Sequence, residues 1–224
     1  MANISIDFRL LDLSIELHAL EDHLQIIENH VKELASLEEK RVSVLARENN
    51  WDFYDPDFDF ARQECNHRIQ FLFPRIFRGP FLVTLYAVFE AGVTEIARLI
   101  QSKQKLKLSI NDLNGGFLDR ANKYFNHIIK FDLPMDSKWQ HIRMLSEIRN
   151  AFAHTNGRID LLNANVRDKI RRWEKDGTGI YTDMDFILVN EEFASKIFLD
   201  VNSYLRNLIE RYKEWDTNQD IKST

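Results

Sequence analysis

The sequence predicts an all-α protein, an antiparallel helical bundle with one small β-hairpin before its last helix. Only 7 glycines and 4 prolines interrupt 224 residues, which favours long helices over many short strands. Large apolar residues also recur at helical spacing along most of the chain. The expected parts are a long N-terminal helix with an aromatic connecting segment (1–78), the helical bundle (79–215) and a frayed tail (216–224), together forming one compact domain.

Composition narrows the classes of function. Apolar residues make up 44% of the chain and charged residues 29%, as in a globular protein. The formal net charge of −5 argues against a protein that coats polyanions, so any nucleic-acid contact must use a local basic patch. The single cysteine, Cys65, permits no intrachain disulfide and no cysteine zinc site. No signal peptide or membrane span is expected, and the predicted location is the cytoplasm.

The first predicted element is a helix from about Asp7 to Asn50. Its large apolar residues follow one another at alternating spacings of three and four, which is the heptad seam of a helix that packs in coiled-coil fashion. The partner helix belongs either to the same chain or to a second subunit. The seam consists of Leu10, Leu13, Leu17, Leu20, Leu24, Ile27, Val31 and Leu34.

Residues 51–77 are aromatic and acidic without clear periodicity, and we expect a connecting loop there. Asp55, Asp57 and Asp59 have the alternating spacing of a calcium loop, but the glycine and the glutamate that such a loop needs are missing. The calcium interpretation therefore fails. The aromatic residues are expected to pack beneath the loop; they are Trp51, Phe53, Tyr54, Phe58 and Phe60.

The remainder of the chain is expected to be helical apart from the hairpin. Gly79-Pro80 should open a helix to about Ile100 whose apolar residues cover much of its circumference, as in a central bundle helix. Short strands are predicted at 180–182 and 186–189. The other predicted helices run from Phe117 to about Phe131, from Asp136 or Ser137 to Asn156-Gly157, over about 160–175, and from Asn190 to about Trp215.

The helix that ends at Asn156-Gly157 carries an arginine on its apolar side. A guanidinium cannot lose its proton and is rarely buried alone, so Arg149 requires a carboxylate, a phosphate or a second subunit. Glu90, at the edge of the preceding apolar helix, is the predicted carboxylate partner; alternatively Glu90 reaches solvent. The apolar face around Arg149 consists of Ile142, Leu145, Ile148 and Phe152.

Arg149, Asn150 and His154 form the pattern R-N-x-x-x-H, which suits cleavage of a phosphodiester. Histidine moves protons near neutral pH, and arginine stabilises charge that develops on phosphoryl oxygens. RNA supplies its own nucleophile, the 2′-hydroxyl, so such a site requires no metal or other cofactor. The alternative is an interface arginine together with a helix-terminal histidine that interacts with the helix dipole.

Two basic runs are candidates for contact with an RNA backbone. The first, in the helix predicted over about 160–175, contains Arg167, Arg171 and Arg172. The second precedes the break at residues 114–116. It contains Lys103, Lys105 and Lys107. The alternative for both runs is an ordinary solvated helix face.

The R-N-x-x-x-H pattern, together with the upstream segment 85–96 and its acidic Glu90, resembles the HEPN superfamily (higher eukaryotes and prokaryotes nucleotide-binding) over roughly residues 80–210. The resemblance implies a helical bundle that dimerises, with two motifs meeting across the dimer as a metal-independent endoribonuclease site. It implies that Arg149 and His154 are the motif arginine and histidine. Asn150 would be the polar residue that frequently follows the arginine.

The resemblance also implies a biological setting. Many members of the superfamily are toxins of toxin–antitoxin or phage-defence systems, and a partner protein neutralises them. One subgroup is modified on a tyrosine two residues after the histidine, where this chain has Asn156. The leading hypothesis is thus a homodimeric ribonuclease whose partners are RNA and a cognate antitoxin. The alternative is a non-catalytic helical interaction module or a nucleotide-binding module, since some members only bind.

Overall fold

The computed structural model describes the backbone of residues 8–222 and the side chains of residues 8–219. The architecture is an all-α helical bundle with one antiparallel two-stranded hairpin before the last helix, as predicted. The predicted helix start at Asp7 and the last two tail residues, Ser223 and Thr224, lie outside the described residues. The elements in chain order are α1 (Phe8–Asn49), α2 (Pro56–His67), α3 (Phe73–Gln104), α4 (Phe117–Lys123), α5 (Ser137–Thr155), α6 (Ala164–Lys175), β1 (Ile180–Asp183), β2 (Phe186–Val189) and α7 (Glu191–Lys222).

The predicted connecting loop over residues 51–77 is wrong, because most of this segment is helical. The Asp55 carboxylate accepts a hydrogen bond from the Asp57 amide at 2.9 Å and caps α2, and Pro56 occupies the first turn, where its missing N–H costs nothing. The acidic residues that resembled a calcium loop therefore begin a helix. A π-helical turn, Arg68–Leu72, then continues α2 into α3.

The aromatic residues of this segment do not all pack as expected. Trp51 and Phe58 are partly buried against a small cluster of Val42, Ala61 and Cys65. The other three are exposed to solvent instead of lying under a loop: Phe53 is 67% exposed, Tyr54 89% and Phe60 70%.

Four helix boundaries differ from the predicted ones. α4, predicted to run to about Phe131, ends at Lys123 and continues as a π-helical turn, Tyr124–Ile128. α3 begins at Phe73 and runs through Gly79-Pro80, so this dipeptide does not start the helix. α6 begins at Ala164, after the side chain of Asn163 caps the Val166 amide at 3.0 Å. α7 continues to Lys222, so the predicted frayed tail is helical as far as the structure describes it.

The helical run Pro56–Gln104 includes a stretch that is long and apolar enough to cross a membrane, judged by length and composition alone. Inside the protein, 56% of that stretch is buried. A central helix of a water-soluble bundle passes the same test, because it is also apolar around most of its circumference.

The chain divides into two compact units. Unit 1 comprises the chain up to Leu20, Thr84–Ser146 and the chain from Ile197 onward; unit 2 comprises Glu21–Val83 and Glu147–Lys196. The division predicted from sequence at residues 78 and 215 remains a prediction.

Unit 1 is built around an aromatic cluster. Phe89 of α3, Trp139 of α5 and Tyr204 of α7 are at most 3% exposed, and their ring centroids lie 5.7–6.3 Å apart. Leu13 of α1 packs against Gly92, where an added Cβ would lie 2.9 Å from a Leu13 methyl carbon. The heptad seam of α1 is buried from Leu10 to Val31, so the partner of this seam lies within the same chain.

Unit 2 contains a buried ion pair that sequence reasoning missed. Arg78 of α3 is 7% exposed and Glu28 of α1 is 5% exposed. The Arg78 Nε and Nη2 atoms donate to the two carboxylate oxygens of Glu28 at 2.8 and 2.6 Å, and Nη1 donates to the carbonyl of Val189 in β2 at 3.1 Å. One guanidinium thus joins two helices and a strand.

Removal of one partner from this pair should destabilise the protein strongly. We expect Arg78→Met to lower the free energy of unfolding by about 3–5 kcal/mol, because it leaves the Glu28 carboxylate buried without a cation. The double variant Arg78→Met, Glu28→Leu should recover much of the loss. Urea unfolding followed by circular dichroism measures both. The control is Arg98→Met, which removes an exposed ion pair to Glu95 and should cost at most about 1 kcal/mol; an equal loss in both single variants would contradict the prediction.

Candidate functional site

The predicted motif lies at the C-terminal end of α5, and the predicted Asn-Gly stop is confirmed. Asn156 and Gly157 both have positive φ, 53° and 77°, and their amides donate to the carbonyls of Phe152 and Ala151 at 3.1 Å each. These bonds satisfy carbonyls that the last helical turn would otherwise leave without donors. The helix therefore ends within two residues of His154.

The hairpin holds this helix end in place. The Ile187 amide of β2 donates to the Gly157 carbonyl at 2.8 Å, and the Ile159 amide donates to the Asp185 carbonyl at 2.8 Å. Met184 and Asp185 form a tight turn with positive φ at both residues, as a two-residue hairpin loop requires. The segment after α5 thus pairs with the edge of the hairpin.

Phe152 anchors the motif helix between two glycines. A Cβ atom added at Gly79 would lie 2.8 Å from two carbons of the Phe152 ring, and one added at Gly157 would lie 3.0 Å from it. Real Cβ atoms essentially never come within 3.0 Å of another heavy atom. The phenyl ring therefore fits because Gly79 has no side chain, and a side chain at Gly157 would crowd it further. This fit restricts the rotation of the last turns of α5.

Arg149 is half-buried, as expected for a charged residue on a mainly apolar face. Its Nη1 atom donates to Oδ1 of the neighbouring Asn150 at 2.9 Å. Glu90, the predicted partner of Arg149, belongs to unit 1 and Arg149 to unit 2, so that ion pair remains a prediction. Within unit 1, Glu90 lines a cleft of about 560 Å³.

The Asn150 side chain orients the Arg149 guanidinium relative to His154. Arg149 and His154 lie roughly 140° apart around the helix, too far for both side chains to point straight at one target. Asn150 lies between them, one turn before His154 on the same face, and both Asn150 and His154 are exposed. Because the Arg149 guanidinium bonds to Asn150, it is directed toward the face that presents His154.

The basic helix α6 is fixed to the motif helix. Lys169 Nζ donates to the Glu147 carboxylate of α5 at 2.5 Å, and the Glu174 carboxylate accepts from the Thr182 amide of β1 at 2.9 Å. Two of the predicted RNA-binding residues on this helix, Arg171 and Arg172, are exposed, and the third, Arg167, is half-buried.

The charges of α6 form a continuous basic face. Arg167, Arg171 and Lys175 follow one another at intervals of four residues, so their side chains project from one side of the helix. Of the two predicted basic runs, only the run on α6 lies in the same unit as the motif. Lys103, Lys105 and Lys107 belong to unit 1, where Lys103 forms an ion pair with Asp216.

Cys65 is unsuited to act as a nucleophile. It is 5% exposed, and burial raises the pKa of its thiol, with the nearby carboxylates of Glu38 and Glu39 raising it further. A thiol that stays protonated is unreactive. Among the residues that the structure describes, no group of three or more His, Cys, Asp or Glu side chains is placed to hold a metal ion.

No protein-family model, curated protein or solved structure matches the chain.

The packing of Phe152 on Gly79 gives a testable coupling between α3 and α5. We expect Gly79→Ala to lower the free energy of unfolding by about 1–3 kcal/mol, because the new methyl group overlaps the ring. A Phe152→Ala background should relieve most of that cost, since alanine lacks the ring carbons Cδ1 and Cε1 that lie nearest the added methyl group. Urea unfolding of the two single variants and the double variant gives the interaction energy. Additive losses would show that the two residues do not contact each other.

Proposed function

We propose that this chain is a metal-independent endoribonuclease that acts as a homodimer, of the toxin–antitoxin or phage-defence type. The proposal rests on one observation above the others: the end of α5 presents Asn150 and His154 on an exposed face, and the Asn150 amide directs the Arg149 guanidinium toward that face. The toxin or defence setting is supported by the resemblance of the motif to the HEPN superfamily alone.

The proposed reaction is an internal transesterification of RNA. His154 removes the proton from the 2′-hydroxyl, whose oxygen attacks the adjacent phosphorus while the bond from phosphorus to the 5′-oxygen breaks. The leaving oxygen takes a proton from a protonated imidazole, and the products carry a 2′,3′-cyclic phosphate and a 5′-hydroxyl. Arg149 stabilises the negative charge that grows on the phosphoryl oxygens, and Asn150 positions Arg149.

A second copy of the chain completes this chemistry. One imidazole cannot remove the 2′ proton and donate to the 5′-oxygen within one step, whereas two copies supply two His154 side chains. The exposed face of α5 gives a second motif access to the first. The basic face of α6, with Arg167, Arg171 and Lys175, would bind the flanking phosphates, and Arg172 on the adjoining side of the helix would add to the local positive charge.

The direct test is cleavage of total RNA in EDTA by the purified protein and its variants. We expect His154→Ala to slow cleavage at least about a hundredfold, because it removes the general acid and base. Arg149→Ala should have an effect of similar size, and Asn150→Ala a smaller one. His18→Ala, which alters another exposed histidine outside the motif, is the matched control and should retain full activity.

Two outcomes would contradict the proposal. One is cleavage that survives the His154→Ala substitution, and the other is the absence of cleavage by the unmodified protein in every RNA pool. If Arg149→Ala abolished association of the chain while RNA stayed intact with the unmodified protein, the motif would instead belong to a non-catalytic interaction module. A rise in melting temperature with ATP would point to nucleotide binding.

A further inference from the structure

The helix α1 has a second apolar side that its buried seam does not use. Five large apolar side chains, 45–74% exposed, lie along it at nearly one angle around the helix, about 150° away from the seam. Single exposed apolar residues are normal on protein surfaces. These five differ from scattered ones because they share one line along the helix, as contact with a partner helix requires. This outer stripe consists of Phe8, Ile15, Ile26, Leu37 and Val44.

The spacing of the outer stripe keeps it on one line along the helix. Ile15, Ile26 and Leu37 are eleven residues apart, which corresponds to about 3.67 residues per turn, close to the natural pitch of an α-helix. The buried seam follows the shorter heptad repeat. Since α1 is uninterrupted over Phe8–Asn49 and thus about 63 Å long, the stripe can pack along another long helix.

We propose that this partner is a second copy of the chain, whose α1 packs antiparallel with Ile26 on the two-fold axis. The outer stripe is symmetric about Ile26. In this register Ile26 meets Ile26, Ile15 meets Leu37, and Phe8 meets Val44, so every member of the stripe contacts an apolar residue of the other copy. A two-fold interface requires such self-complementarity.

The charges between the apolar positions fit the same register. Asp12 lies opposite Lys40, and Asp22 lies opposite His30, so both aspartates face a basic side chain. All four side chains are exposed and lie on the side of the outer stripe. Glu33 lies opposite the small side chain of Ala19, where it reaches solvent.

Two other kinds of α1 pair bring identical charges together or place an apolar residue opposite a charged one. A parallel pair in register would place Asp12, Asp22, Glu33 and Lys40 each opposite an identical charge, which is unfavourable. An antiparallel pair shifted by one eleven-residue repeat would place Phe8 opposite Glu33, or Ile15 opposite Glu48. Of the arrangements compared, only the antiparallel pair centred on Ile26 matches both the apolar positions and the charges of the outer stripe.

This interface is separate from the motif and does not depend on the proposed function. The outer stripe occupies α1, whereas Arg149, Asn150 and His154 occupy the end of α5. If copies also associate through the motif, each chain has two different self-interfaces, and assemblies larger than a dimer follow.

Single cysteines test the register in solution. In a full-length Cys65→Ala background, Ile26→Cys lies on the two-fold axis and should form a disulfide between two copies under mild oxidation, because the two Cβ atoms come within bonding range. Ile15→Cys and Leu37→Cys should each remain uncrosslinked alone and crosslink when the two proteins are mixed. Leu199→Cys, an exposed apolar position on α7, is the matched control and should not crosslink.

A charge within the stripe tests the same interface without oxidation. We expect Ile26→Glu to at least halve the mass measured by sedimentation equilibrium, whereas Leu199→Glu should leave it unchanged. Self-crosslinking of Ile15→Cys would show a parallel pair and overturn the proposal. An uncrosslinked Ile26→Cys protein, or an unchanged mass for Ile26→Glu, would equally overturn it. None of these readouts involves RNA cleavage, so they stand whether or not the protein is a nuclease.

Discussion

The burial of a single guanidinium determines how unit 2 is arranged around the motif. Arg78 cannot lose its proton, so once it is inside the protein its donors must find acceptors. Glu28 supplies two and the Val189 carbonyl supplies another, which fixes α1, α3 and β2 with respect to one another. The strand β2 continues this connection, because the Ile187 amide bonds to the Gly157 carbonyl at the end of the motif helix.

A short stretch of α5 thus has one side that packs against the protein and another side whose polar residues are exposed. Phe152 faces inward between two glycines and holds the helix, while Asn150 and His154 face solvent. A site that acts by positioning and by charge stabilisation benefits from such a support, because the reacting groups need not be reorganised during the reaction. The basic face of α6 is fixed to the same helix through Lys169 and Glu147 and adds positive charge to a chain that is acidic overall.

Local signals in the sequence predicted much of this fold correctly. The heptad seam of α1, the Asn-Gly stop of α5 and the hairpin each depend on neighbouring residues, and the structure confirms all three. The wrong predictions arose where one sequence pattern is compatible with two local structures. Asp55-Pro56 resembled part of an irregular acidic segment but caps a helix, and Gly79-Pro80 resembled a helix start although Gly79 makes room for Phe152.

The long-range contacts that support the motif could not be predicted from the sequence, for a physical reason. Arg149 is a half-buried charge on a mainly apolar face, whereas the buried arginine is Arg78, which lies between the predicted loop and the helix start predicted at Gly79-Pro80. Glu28 flanks the heptad seam and could have been noticed by the same helical-wheel argument. Its pairing with Arg78, fifty positions away, could not be predicted, because the contact depends on tertiary packing. The heptad pattern predicts only the buried side of α1, so it gives no indication of the exposed outer stripe.

The proposed function requires that the end of α5 bind RNA through Arg149 and His154. Nuclear magnetic resonance of the histidine imidazoles, during titration with 2′-O-methyl RNA oligonucleotides in EDTA, tests it most directly, because such RNA can bind but lacks the attacking hydroxyl. We expect the His154 imidazole signals to shift in a saturable way while those of His18 stay in place. Unchanged His154 signals at saturating RNA would contradict it.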